Sequence, residues 1–145
     1  MAATQPAPNA ALNAALNPAL NAALNSALNP ALPPASAPVW RAVCTRQDLV
    51  AGSGVVALLD GQQIALFYLP DADGAPLYAI DNRDPKSGAN VIGRGLIGQL
   101  GGDLIVVSPL YKQHFRLADG TCVQYPEQRL RTWQARFNGD AVEVA

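Results

Sequence analysis

The sequence predicts a small all-β domain behind a low-complexity N-terminal tail, and three observations carry that reading. Xaa-Gly pairs punctuate the chain at Asp60-Gly61, Asp73-Gly74, Gly101-Gly102, Asp119-Gly120 and Asn138-Gly139. Such pairs supply the positive φ that tight hairpin turns require. The segments between them are short and rich in β-formers, and none sustains a helical period of useful length. Short strands at this spacing predict a sandwich or barrel-like β domain.

The tail comes first. Residues 1–38 hold no charge and no glycine but seven of the twelve prolines, whereas all twelve glycines fall between Gly52 and Gly139. That shift divides the chain into a tail, 1–38, and a domain, 39–145. Asn-x-Ala-Leu recurs from Asn9 through Leu32 and sets Leu12, Leu16, Leu20, Leu24, Leu28 and Leu32 four apart. A helix turns every 3.6 residues, so a strict spacing of four drifts by about 40° per repeat and makes no single stripe. Pro18 and Pro30 interrupt any long helix, although Asn17-Pro18 and Asn29-Pro30 suit the start of short ones. Isolated short helices are marginal in water. The tail is therefore read as a disordered low-complexity extension rather than a docking helix. A signal peptide is not expected, because the first charge is Arg41.

Strands follow in order: "GVVALL" (54–59), "QQIALFYL" (62–69), "PLYAI" (76–80), "DLIVV" (103–107), "QHFRL" (113–117), "TCVQ" (121–124), "RTWQARF" (131–137) and "AVEV" (141–144). The stretch "SGANVIG" has room for one helical turn.

Composition excludes several function classes. Ten basic against eleven acidic residues leave no basic stripe for nucleic acid and no polybasic membrane anchor. No apolar run reaches the roughly 18 residues of a spanning helix. Two cysteines are too few for a disulfide-built scaffold.

Each candidate for chemistry has a plainer explanation. Gly93-Arg94-Gly95-Leu96-Ile97-Gly98 matches G-x-G-x-x-G, but a dinucleotide site needs a helix after it, and here Gln99-Leu100-Gly101-Gly102 and a strand follow. His114 is the only histidine. Strand alternation puts Gln113, Phe115 and Leu117 on one face and Lys112, His114 and Arg116 on the solvated other, so His114 is not read as a ligand. Cys44 and Cys122 fall in predicted strands without C-x-x-C spacing, and core packing accounts for them. Asp81, Asp84 and Asp103 form no assignable acid–base pair, and "DNRDP" reads as a polar turn.

The stretches "IDNRDP", "RGLIG" and above all "SPLYKQHFRLADG" carry a resemblance. From about Trp40 to Val144 the chain resembles the Rieske-type iron–sulfur domain. Within that family it is most similar to the small subunits of assimilatory NAD(P)H nitrite reductases. A Rieske domain holds its [2Fe–2S] cluster on two loops, each giving one Cys and one His. By that resemblance Asp84 and Lys86 stand at the first pair of ligand positions, and Ser108 and Tyr111 at the second. Pro85, Pro109 and Phe115 remain in place. Asp, Lys, Ser and Tyr supply neither the thiolate nor the imidazole donors that such a cluster needs.

The resemblance implies a cytoplasmic, non-catalytic subunit with no metal or cofactor of its own. Its expected partner is the nitrite reductase large subunit, bearing FAD, an iron–sulfur cluster and sirohaem and reducing nitrite to ammonium in nitrate assimilation. The alternative is a cluster-free Rieske-like binding module associated with another oxidoreductase. A Rieske tip is exposed, so the expected partner-binding residues are Arg83, Lys86 and Arg94 on one loop region and Lys112, His114 and Arg116 on the other. Asp84, Lys86, Ser108 and Tyr111 are further expected to face one another and replace the metal with a polar tie.

Overall fold

In the computed structural model, which describes residues 36–72 and 75–145, strand β3 (Gln62–Tyr68) lies at the centre of the domain. Its run Ile64-Ala65-Leu66-Phe67 is fully buried on both faces, as an uninterrupted apolar strand must be. β3 pairs antiparallel with β2 (Gly54–Leu59) on one side and β4 (Leu77–Asp81) on the other, and β8 (Thr132–Trp133) completes this sheet in the order β2-β3-β4-β8.

A three-stranded sheet is associated with each core. On one, Ala65, Phe67 and Ile80 pack with Leu117, just past β7, and with Val106 and Phe115 of the sheet β5 (Leu96–Leu100), β6 (Asp103–Val107), β7 (His114–Arg116). On the other, Ile64, Leu66 and Ala79 pack with Val142 and Val144 of the sheet β1 (Arg41–Thr45), β10 (Ala141–Val144), β9 (Ala135–Asn138). The period of two along β3 thus feeds two cores from one strand. The compact unit runs from Pro38 to Ala145. Residues 1–35, on which the repeat-tail expectation mostly falls, lie outside the described residues, as does the Asp73-Gly74 pair.

Turn chemistry accounts for the hairpins. Asp60 and Gly61 both adopt positive φ (51° and 79°) between β2 and β3, and Gly101 and Gly102 do so (60° and 90°) between β5 and β6. Consecutive positive φ values match the right-handed twist of the flanking strands. The β9–β10 turn differs from the expected Asn138-Gly139: Asn138 pairs with Ala141, so Gly139 (φ 60°) and Asp140 form the two-residue turn.

Three elements depart from the sequence reading. "RTWQARF" is two strands, because Gln134 exchanges backbone hydrogen bonds with Ala145 (3.0 and 3.1 Å) where the chain passes between sheets. "TCVQ" makes only isolated bridges, Thr121 to Arg129 and Cys122 to Phe115. Leu96–Leu100 is a strand that its two flanking glycine pairs conceal, and a 3₁₀ turn, Ile92–Arg94, precedes it. No helix follows the G-x-G-x-x-G string, as that motif's chemistry would demand.

Candidate functional site

Two loops converge at one end of the β5-β6-β7 side of the domain. The first leaves β4 and runs through residues 82–95; the second is the β6–β7 connection, residues 108–113. Asn82 anchors the first. It is 2 % exposed, its Nδ2 donates to Gln63 Oε1 (2.8 Å), and its Oδ1 accepts from the Gly93 amide (2.7 Å). Its carbonyl also accepts from Val91 and Ile92 (2.9 and 3.1 Å). The second loop closes on itself, Ser108 N–H to Gln113 O (2.8 Å) and Lys112 N–H to Ser108 O (3.1 Å), with Lys112 at φ 56°. Gln113, 3 % exposed, fixes the base of this loop through Nε2 to Gln128 Oε1 (2.8 Å).

All four positions singled out from the sequence meet, and they meet in pairs. Asp84 and Ser108 are both fully buried, and the Ser108 hydroxyl donates to Asp84 Oδ2. Asp84 Oδ1 accepts from the amides of Lys86 and Ser87 (both 2.9 Å). Burial pushes the Asp84 carboxyl up; the Ser108 hydroxyl and then the Ser87 and Lys86 amides outweigh it and hold the group below its ordinary value. The second pair is external. Lys86 Nζ stands 4.3 Å from the ring centroid of Tyr111, both side chains being exposed. The polar tie of the sequence reading is therefore half hydrogen bond and half cation–π contact, because Tyr111 offers its ring face and not its hydroxyl. The "DNRDP" stretch is the polar turn read from the sequence: Asp81 Oδ1 accepts from the Arg83 amide (3.0 Å) and Asp84 Oδ1 from the Lys86 and Ser87 amides, although Asp84 is buried as it does so.

This donor set does not fit a [2Fe–2S] cluster. The two inner positions carry a carboxylate and a hydroxyl bonded to one another, and the outer two an ammonium and a phenol; none is the thiolate or imidazole that iron–sulfur chemistry uses. Among the described residues, no group of three His, Cys, Asp or Glu side chains is placed to hold a metal ion. His114 is half-buried on the outer face of β7, opposite Val107, and its carbonyl accepts from Val123 (2.8 Å). Cys122 is buried in the β3–β6–β7 core, and Cys44, partly buried against the other, has its thiol pushed up by burial and by Asp48.

The remaining candidates lie on the two loops and on β7. Arg83 and Arg94 are exposed, and Lys112 Nζ bonds the Pro109 carbonyl (2.9 Å). Arg116 instead pairs with Asp103 (2.9 Å) on the outer face of its sheet. Sequence reasoning missed the apolar component, since Leu110 and Tyr111 are each 52 % exposed. The quoted motif "SPLYKQHFRLADG" contained both. It also passed over Asn82, whose presence inside "IDNRDP" was the available signal.

Comparison with known proteins agrees with this geometry. Residues 39–145 match the family described as Rieske-like [2Fe-2S] domain. The nitrite reductase (NADH) small subunit of Salmonella typhimurium is 39 % identical over 105 residues, covering 72 % of this chain and 95 % of that one. The solved structure of the Escherichia coli protein NirD superposes with a TM-score of 0.65 at 37 % identity, over 73 % of this chain and 94 % of that one. A nitrite reductase [NAD(P)H] large subunit of Klebsiella oxytoca is 44 % identical over 105 residues, 72 % of this chain but only 11 % of that longer chain. With its fold, its two loops and its relatives in agreement, the chain belongs to the Rieske-like domain family and, within it, to the nitrite reductase small subunits.

Proposed function

We propose that this chain works as a non-catalytic small subunit, docked through its two-loop tip onto a nitrite reductase large subunit. One observation supports the reading: Asp84 and Ser108, which the resemblance sets at cluster-ligand positions, are fully buried and satisfy one another. A tip so built keeps its shape and has no redox group, which suits a docking surface and not an electron carrier. The Klebsiella relative supports the partner, because there a segment similar to this domain is part of the large-subunit chain itself. Association with a different oxidoreductase is not favoured by these relatives.

Charge supports the docking end. The two loops carry four of the ten basic residues, Arg83, Lys86, Arg94 and Lys112, and their only acid is the buried Asp84. Lys86 stands over the ring of Tyr111, and Lys112 follows the exposed Leu110 and Tyr111 in sequence, which sets apolar surface beside basic charge and suits an interface that steers an acidic counterpart. His114 and Arg116 extend it along β7. The large subunit would carry FAD, an iron–sulfur cluster and sirohaem and reduce nitrite to ammonium in the cytoplasm. Among the described residues no helix is long and apolar enough to cross a membrane. Affinity-tagged chain recovered from nitrate-grown cells tests the reading. Co-purification of a sirohaem-containing chain with NAD(P)H-dependent nitrite reduction is the expected result; recovery of a different oxidoreductase overturns it.

A further inference from the structure

Strand β5 is an edge whose outward backbone groups have no partner among the described residues. The direction of those groups follows from its neighbours. Leu117 N–H donates to Leu104 O (2.9 Å) and Ser108 N–H to Gln113 O (2.8 Å), so Leu104, Val106 and Ser108 turn their backbone polar groups to β7 and its flanks. Asp103, Ile105 and Val107 therefore bond β5, through Leu100, Gly98 and Leu96. The amides and carbonyls of Ile97 and Gln99 are left pointing away from the sheet.

Folded domains blunt such edges with charge, proline or a covering segment. The strand Leu96-Ile97-Gly98-Gln99-Leu100 contains neither charge nor proline. Its outward face carries Leu96, 76 % exposed, and Leu100, 45 % exposed. The sequence is also nearly palindromic about Gly98: Gly95-Leu96-Ile97-Gly98-Gln99-Leu100-Gly101.

We infer that β5 pairs with the β5 of a second copy of this chain, antiparallel about a two-fold axis at Gly98. In that register Ile97 of each copy exchanges backbone hydrogen bonds with Gln99 of the other, which are the groups the sheet leaves unused. Leu96 faces Leu100 of the second copy on the outer face, and Gly98 meets Gly98 where the chains come closest. No like charges face each other near the axis. Toward each end of the seam Arg94 of one copy falls near Asp103 of the other, which already pairs with Arg116 of its own chain, so no like charges meet there. The seam joins two three-stranded sheets into one.

One strand buries less than the roughly 1,200 Å² at which standard interfaces begin, so the dimer is concentration-dependent. Analytical ultracentrifugation of the full chain without any partner, from about 1 µM to about 1 mM, covers the range expected of so small a seam. The mass should rise from 15.2 kDa toward twice that value. Gln99→Pro removes an outward N–H that makes no bond to β6, and Leu96→Lys brings charge to the seam at an exposed position; both should hold the chain monomeric with an unchanged circular dichroism spectrum. Leu58→Lys, on the exposed face of β2, should dimerise as the unmodified chain does. A monomer at every concentration overturns the inference, even if Ile97 and Gln99 amides become protected by the large subunit. A dimer that survives Leu96→Lys overturns it as well.

Discussion

The hydroxyl of Ser108 donates to the carboxylate of Asp84 across the two loops, at full burial and 24 positions apart in the chain. By the family resemblance, this one contact falls at positions where a Rieske domain joins its loops through iron. Its partners are small, local in each loop and already fixed: Ser108 by the backbone bonds of its turn, Asp84 by the amides of Lys86 and Ser87. The contact thereby ties the two loops to one another.

Asp84→Ala should be severely destabilising. It leaves the buried Ser108 hydroxyl and the Lys86 and Ser87 amides without their acceptor, a loss of about 3 kcal/mol or more at usual costs for charge-assisted bonds. Thermal melting should fall by roughly 10 °C or more for a domain of this size. An unchanged melting temperature would show that Asp84 does not hold the loops.

Acid should release the same contact. The folded Asp84 carboxyl titrates below its unfolded value of about 3.9. A lowered folded pKa stabilises the fold fully above the unfolded value, and the contribution disappears as pH falls through the folded one. Denaturant titrations between about pH 6 and pH 2.5 should therefore show an acid loss of stability that is shallower in Asp84→Asn. Identical slopes in the two proteins would contradict the assignment.

The outer pair should matter much less. Lys86 and Tyr111 meet in solvent, where a cation–π contact contributes about 0.5–1 kcal/mol. A double-mutant cycle with Lys86→Ala and Tyr111→Leu should give a coupling below about 1 kcal/mol. Coupling as large as the Asp84 loss would mean that the exposed pair, not the buried one, carries the tie.

Protein purified anaerobically should contain no stoichiometric iron and no visible absorption, because none of the four positions offers a thiolate or imidazole. About two irons per chain, the content of a [2Fe–2S] centre, would contradict the reading of the site.

How much of this was legible in the sequence follows the range of the interactions involved. Turn pairs and the alternation of Phe115 and Leu117 are local, and they placed most of the strands. The burial of β3 on both faces was hinted at by its unbroken apolar run, but which sheets associate with its two faces depends on contacts far apart in sequence. β5 was hidden because Gly95 and Gly101 bracket a strand whose glycine centre weakens its β signal. The split of "RTWQARF" depends on Gln134 meeting the chain's last residue, Ala145, which no local pattern encodes. The four ligand positions came from family resemblance alone; that Asp84 and Ser108 form the buried half, and Lys86 and Tyr111 the exposed half, needed the fold.

Docking through the tip is tested most directly by charge reversal at two exposed basic residues, one from each loop. Arg94→Glu combined with Lys112→Glu leaves both cores and the Asp84–Ser108 bond untouched. With the isolated large subunit immobilised at low salt, the account predicts association slowed by roughly tenfold, an unchanged melting temperature, and a smaller difference as salt is raised, since rim charges act through steering. A double variant that binds at the unmodified rate would contradict it and place the docking surface on another face of the domain.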